Sequence, residues 1–191
     1  MTLLDDARPA GANLRDIAHS DVGHGDVGHG DFAHAGPRPA TLSPARLGEI
    51  VGAVAADAGR WSGLVRFDAE RRWYQRLELA DDHEVWLLSW LPGQDTGFHD
   101  HGRASGAFAV AQGRVRERTV PPGRRQVRQR AITAGDIRAF GPRYVHDVVN
   151  ASGEPAVTVH AYSPPLTAMR RYELTSAGLV PTTTELAEQD W

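Results

Sequence analysis

The chain has 191 residues, a formal net charge of −3, 21 basic residues and no cysteine. That length suits one domain with a substantial core. The mild acidity gives no general reason to expect nucleic acid, and the missing cysteines exclude disulfides, thiolate metal ligands and a cysteine nucleophile. Every basic residue is arginine, a compositional bias that carries no function by itself. Residues 1–14 lack a basic segment followed by an apolar core, and no apolar run approaches membrane-spanning length. The expectation is a soluble cytoplasmic protein with no nucleic acid and no membrane partner, monomeric or weakly self-associating.

Residues 1–40 form the first segment, rich in Gly, Ala, Asp and Pro. They include DVGHG-DVGHG-DFAHA over Asp21–Ala35, and His19, His24, His29 and His34 recur every five residues. Five matches neither the helical nor the strand period, and the stretch has little to bury, which predicts disorder. Residues 41–191 are expected to hold the folded domain. A helix opens it: Thr41 or Ser43 can cap, Pro44 suits the first turn, and Gly59 suits the stop. Leu47, Ile50, Val51, Val54 and Ala58 make its apolar stripe.

From about residue 61 the pattern becomes strands punctuated by Gly, Pro and Asp. Segments at 84–91, 106–120, 126–132, 136–140, 144–150, 157–162 and 170–174 are β-prone and carry no helices between them. This predicts an all-β sandwich or barrel. Seven arginines lie between Arg114 and Arg130, and their alternation puts several on the outer face of a hairpin. A solvated face explains them better than an anion-binding patch.

Within these strands stands Gly93-x5-His99-Asp100-His101-x4-Gly106-x6-Gly113, with His146 45 residues beyond His101. Histidines two apart on a strand project from one face. A third from a neighbouring strand would complete a facial set of nitrogen ligands, suited to Fe, Zn, Cu or Ni and leaving coordination positions open. Thr158, His160 and Tyr162 also alternate, so one strand presents all three to one side, with His160 placed to fix the Tyr162 phenol.

These residues resemble the cupin superfamily. Gly93, His99, His101 and Gly113 follow its first motif, with Gly106 where a glutamate ligand often stands. Gly135, His146 and Asn150 follow the second motif, which departs at Gly141 and Arg143. Losing the glutamate leaves a divalent ion its full charge, which favours an anionic substrate and disfavours a 2-oxoglutarate oxygenase. The resemblance narrows to the cysteine dioxygenase type I family of thiol dioxygenases through four blocks: Tyr74-Gln75-Arg76, His99-Asp100-His101-Gly102 with Ser105-Gly106-Ala107-Phe108, His146, and His160-Ala161-Tyr162-Ser163-Pro164-Pro165.

That resemblance implies a cupin double-stranded β-helix (a jelly-roll barrel) with one or two N-terminal helices. It implies Fe(II) held by His99, His101 and His146, and a small thiol substrate that receives both atoms of O2 and becomes a sulfinate. It assigns Tyr162, His160 and Thr158 to catalysis, and Arg76 with Tyr74 to the substrate carboxylate, which a guanidinium fork fits. Gly106 replaces the cysteine that crosslinks to the tyrosine in animal enzymes, so the resemblance is to the bacterial type with an unmodified Tyr162. It further implies a cis Ser163–Pro164 bond. L-cysteine leads among substrates, followed by 3-mercaptopropionate. A cupin enzyme using another metal and a non-catalytic binding cupin are the remaining readings.

Overall fold

The computed structural model describes residues 41–121 and 123–186, all within the unit that runs from Pro37 to Trp191. The histidine repeat and the expected disordered segment lie outside the described residues.

Helix α1 (Pro44–Ala56) begins where the sequence places it, with Pro44 in the first turn and Ser43 Oγ accepting from the Arg46 N–H at 3.2 Å. It ends earlier than Gly59. The Asp57 carboxylate accepts from the Gly59 N–H at 3.1 Å and turns the chain into a short 3₁₀ segment, Ala58–Arg60. An aspartate whose side chain satisfies the backbone competes with further α-helix, so the stop falls at Asp57.

Eleven strands follow: β1 Trp73–Leu79, β2 Glu84–Trp90, β3 Phe98–Asp100, β4 Ser105–Gln112, β5 Arg114–Thr119, β6 Arg128–Thr133, β7 Ile137–Phe140, β8 His146–Val149, β9 Ala156–Ser163, β10 Ala168–Thr175 and β11 Gly178–Leu186. The segment expected as one strand from 106 to 120 is two, broken at Gly113, whose φ is +73°. A Cβ there would lie 2.6 Å from the Pro155 carbonyl oxygen, so only glycine fits the corner. Strands β1, β3 and β11 complete the set that periodicity had only partly marked.

The strands form two antiparallel sheets, one ordered β1-β2-β9-β4-β7 and the other β11-β10-β3-β8-β5-β6. Strand β9 lies between β2 and β4, and all eight of its residues are buried. Its two faces serve different layers. Val157, Val159 and Ala161 join Leu47, Val51 and Val54 of α1 in one apolar cluster, so the helix covers the outside of the first sheet. Tyr162, on the opposite face, packs with Trp90, Phe108, Val115, Phe140 and Val148 in a second cluster. At about 25 cal/mol per Å2 of apolar surface, such burial is the main stabilising term on both sides.

Charges outside the core are arranged as the alternation predicts. Arg114 and Arg116 are exposed on β5, while Val115 and Glu117 point inward. Arg118 departs from the solvated reading, since it pairs with the buried Asp147. No helix among the described residues is long and apolar enough to cross a membrane.

Candidate metal centre and cavity

His99 on β3 is the direct cross-strand partner of His146 on β8. His101 lies one residue beyond the end of β3, and its ring still reaches the other two. One ring nitrogen from each residue falls within 4.8 Å of the others, and all three side chains are buried. Asp100, between them, points away. It accepts from the Gly102 N–H at 2.8 Å and from the Tyr172 hydroxyl at 2.5 Å, which fastens the ligand-bearing turn to β10.

The three imidazoles have different surroundings. His99 Nδ1 lies 2.9 Å from the Gly97 carbonyl oxygen, which can only accept, so Nδ1 carries the proton and Nε2 is free. His146 Nδ1 lies 3.0 Å from Glu117 Oε1, with the same consequence. Both nitrogens of His101 are buried without a hydrogen-bond partner among the described residues. A buried orphan imidazole is costly unless something else meets it, and a metal ion at the meeting point of the three rings would do so. The donor set therefore fits a divalent transition metal with open positions. Burial first, then the neighbouring imidazoles, holds His99 and His101 well below the ordinary histidine value, in the neutral form that a metal requires.

Gly106 is closed to any side chain. A Cβ there would fall 2.5 and 2.6 Å from the Phe140 ring and 3.0 Å from the Tyr162 ring. Phe140 fills that space and stacks on His101, with ring centroids 5.4 Å apart at 25°. A glutamate ligand at this position is thus excluded by packing as well as by sequence.

Thr158, His160 and Tyr162 face inward from β9 and form one chain of hydrogen bonds that begins at Trp90. Trp90 Nε1 lies 2.8 Å from Thr158 Oγ1, Thr158 Oγ1 lies 2.8 Å from His160 Nε2, and His160 Nδ1 lies 3.3 Å from the Tyr162 hydroxyl. An indole can only donate. Thr158 Oγ1 therefore accepts from Trp90 and keeps its own proton free to donate to His160 Nε2. In the tautomer that accepts from Thr158, His160 Nδ1 carries the ring proton and can donate to the Tyr162 oxygen, which leaves the phenol proton to point elsewhere. Burial, with His146 nearby, holds His160 well below its usual value, which keeps the ring neutral. Burial, then the charge of Glu84, pushes the Tyr162 phenol well up. Tyr162 is consequently a donor.

A small cavity of about 50 Å3 adjoins the centre, lined by His99, His146, His160, Tyr162, Tyr74 and two arginines, Arg72 and Arg171. Arg72, Tyr74, Thr96 and Arg171 also line an outer cavity of about 470 Å3. Tyr74, expected near the substrate carboxylate, lines both cavities. Arg76, the expected carboxylate partner, is not in the lining: its guanidinium stands 3.6 Å from the buried Glu84 and 5.3 Å from the Trp86 ring centroid. A guanidinium held by a carboxylate that strand β2 buries has a structural use already. Arg171 is likewise engaged, with Glu185 Oε2 at 2.7 and 2.9 Å and the Thr96 carbonyl at 2.8 Å. Arg72 differs. It donates to the Asp95 carbonyl at 2.8 Å and lies over Trp90, and its buried Nε has no partner among the described residues.

Sequence reading missed Arg72, Trp90 and Glu117 as members of this site. Glu117 had a usable signal: it takes an inward position in a strand whose outward positions are arginines. The others had weaker ones, since Arg71, Arg72 and Arg76 cannot be ranked by spacing alone.

Two sheets facing each other across a buried three-histidine group define a metal-binding cupin. The family model described as "Cysteine dioxygenase type I" matches residues 45–175. The chain belongs to the cysteine dioxygenase type I family. No match was found among curated proteins. Similar solved structures include a Klebsiella pneumoniae protein with a double-stranded β-helix domain (20% identity over 64% of this chain and 93% of that one, TM-score 0.48). Others are a Thermus thermophilus protein (20% identity, 55% and 93% covered, TM-score 0.49) and a Desulfitobacterium hafniense cupin (10% identity, 55% and 87% covered, TM-score 0.46).

Proposed function

We propose that this protein is an Fe(II)-dependent thiol dioxygenase acting on a small carboxylate thiol, with L-cysteine as the leading substrate and its sulfinate as product. The supporting observation is a group of three buried histidines, two of which (His99 and His146) line one small cavity together with a proton-bearing Tyr162 and Arg72, whose buried Nε has no partner among the described residues. Iron held by His99, His101 and His146 would bring a thiol sulfur and O2 together and carry the electrons between them. The reaction balances without another reductant: the thiol and O2 give the sulfinic acid, sulfur losing four electrons and dioxygen gaining four.

The chain's own residues supply geometry and field. Arg72 takes the carboxylate role first expected of Arg76, offering a charge-assisted donor close to the histidines. Arg171, pinned by Glu185, adds positive potential on the same side. Tyr162 donates toward the reacting oxygen, while Thr158 and His160 keep its own acceptor lone pair occupied. Fixing the sulfur by its distant carboxylate converts a bimolecular encounter into a positioned one.

One observation favours 3-mercaptopropionate as the alternative substrate: among the described residues, no carboxylate lines the inner cavity to receive an ammonium group. Oxygen uptake by the Fe(II)-loaded protein with each thiol, with mass spectrometry of the product, tests both. A product two oxygen atoms heavier supports the class, and the thiol that yields it identifies the substrate. No uptake with either thiol, despite bound iron, rejects the proposal.

A further inference from the structure

Among the described residues, Glu117 is the one carboxylate that hydrogen-bonds the histidine cluster, and it does so from behind. It lies on β5, is 2% exposed, and places Oε1 3.0 Å from His146 Nδ1. Two further donors hold it there: Arg138 Nε at 2.9 Å on Oε2, and the Tyr144 hydroxyl at 3.2 Å on Oε1. Arg138 also lies 3.4 Å from the Tyr144 oxygen, so the three side chains form a closed group. The carboxylate cannot swing away without leaving a buried charge unpaired, which is costly. His99 has only a carbonyl in the equivalent place and His101 has nothing, so the three ligands are electronically unequal.

We propose that Glu117 is a positioning residue for the metal. It locks the His146 ring with Nε2 toward the ion, and it returns to the centre, through that ring, negative charge that Gly106 leaves out of the ligand set. The inference rests on the three-histidine metal reading. A carboxylate accepting the far N–H of a ligating imidazole makes the other nitrogen a stronger donor and fixes its direction. At position 106 a carboxylate has no room, because Phe140 occupies the space. At position 117 it acts one bond network further out and takes no coordination site, so the positions needed by thiol and O2 stay open. A dipositive ion gains partial compensation this way while remaining able to bind an anionic thiolate.

The alternative is that Glu117 only pairs Arg138 and stabilises the sheet. Two substitutions separate these uses. Glu117→Gln keeps an acceptor for His146 and removes the charge. Arg138→Gln removes the ion pair and leaves the carboxylate on His146, now less neutralised. The full chain, stripped of metal and titrated with Co(II), reports affinity, and the iron-loaded protein reports the Fe(III)/Fe(II) potential.

In Glu117→Gln we expect Co(II) affinity to fall by about 10- to 100-fold and the potential to rise. In Arg138→Gln the potential should fall, with affinity kept or improved. Glu117→Asp should recover part of the affinity. Equal affinity and potential in wild type and Glu117→Gln would overturn the proposal alone, as would the same shifts from both substitutions. Should Glu117→Gln fail to fold, the direction of the Arg138→Gln shift still decides. Wild-type protein that binds no ion would overturn the metal reading, and this inference with it.

Discussion

The indole of Trp90 donates to Thr158 Oγ1 at 2.8 Å, and that bond turns the threonine proton away from Trp90 and leaves it free for His160. Remove the donor, and the threonine hydroxyl can turn around, letting His160 take the other tautomer and accept the phenol proton. Trp90→Phe should therefore lower kcat by roughly fivefold, the scale of one lost hydrogen bond at about 1 kcal/mol, with KM little changed. Thr158→Ser should stay near wild type, because it keeps the hydroxyl. Steady-state kinetics on the two variants checks this, and equal kcat in Trp90→Phe and wild type would show that the direction is set elsewhere.

Arg72 and Arg76 should separate cleanly. Arg72→Ala removes the free charged donor at the cavity and should raise KM for a carboxylate thiol by about 10- to 100-fold, the worth of a hydrogen bond to a charged group. Cysteamine, which has no carboxylate, should be affected less than twofold. Arg76→Ala should leave both KM values alone and lower the melting temperature modestly, because the partner it leaves behind, Glu84, is buried while Arg76 is half exposed. Thiol-dependent oxygen uptake and thermal melts on both variants make the comparison.

The metal-free protein should lose stability as pH falls. His99, His101 and His160 are held well below 6.5 by burial, so the unfolded chain takes up protons in a range where the folded chain does not. More protons on the unfolded state at lower pH means that stability is full above about pH 6.5 and declines below it. Melts of the apo form between pH 8 and pH 5 should show a progressive drop. An apo melting temperature flat across that range would contradict the buried, neutral imidazoles.

Gly106→Ala should be more damaging than its size suggests. The added methyl overlaps the Phe140 ring, which supports His101, so both packing and the ligand geometry must yield. A cost of about 1–3 kcal/mol is the usual range for overpacking. Reduced melting temperature together with weaker Co(II) binding is expected. Loss of stability with unchanged metal affinity would mean that Phe140 moves without moving His101.

The histidine spacing and the Thr158-His160-Tyr162 alternation could be read from the sequence because strand geometry is local: period two determines which side chains share a face. The register that sets His99 opposite His146 is not local, and the spacing named His146 as a third ligand without its pairing. Arg76 stands outside the cavity lining for a physical reason. Arg72, Tyr74 and Arg76 alternate toward one side, and which arginine reaches the cavity depends on Glu84 in the neighbouring strand capturing Arg76. Glu117 illustrates the same limit. Its inward position was visible in the alternation, but its target, His146, lies 29 residues further along the chain.

Strand β9 carries the Thr158-His160-Tyr162 series on one side and Val157, Val159 and Ala161 on the other, with a hydrogen-bonded neighbour along each edge. Its amides can exchange with solvent only when the sheet itself comes apart, so the segment next to the chemistry belongs to the slowest-opening part of the molecule. Adaptation to a new substrate must therefore come from elsewhere in the cavity wall. Arg72 precedes β1 and Thr96 precedes β3, and both stand where the inner cavity meets the outer one. Substrate range can drift at that mouth while the rigid strand behind it is left undisturbed.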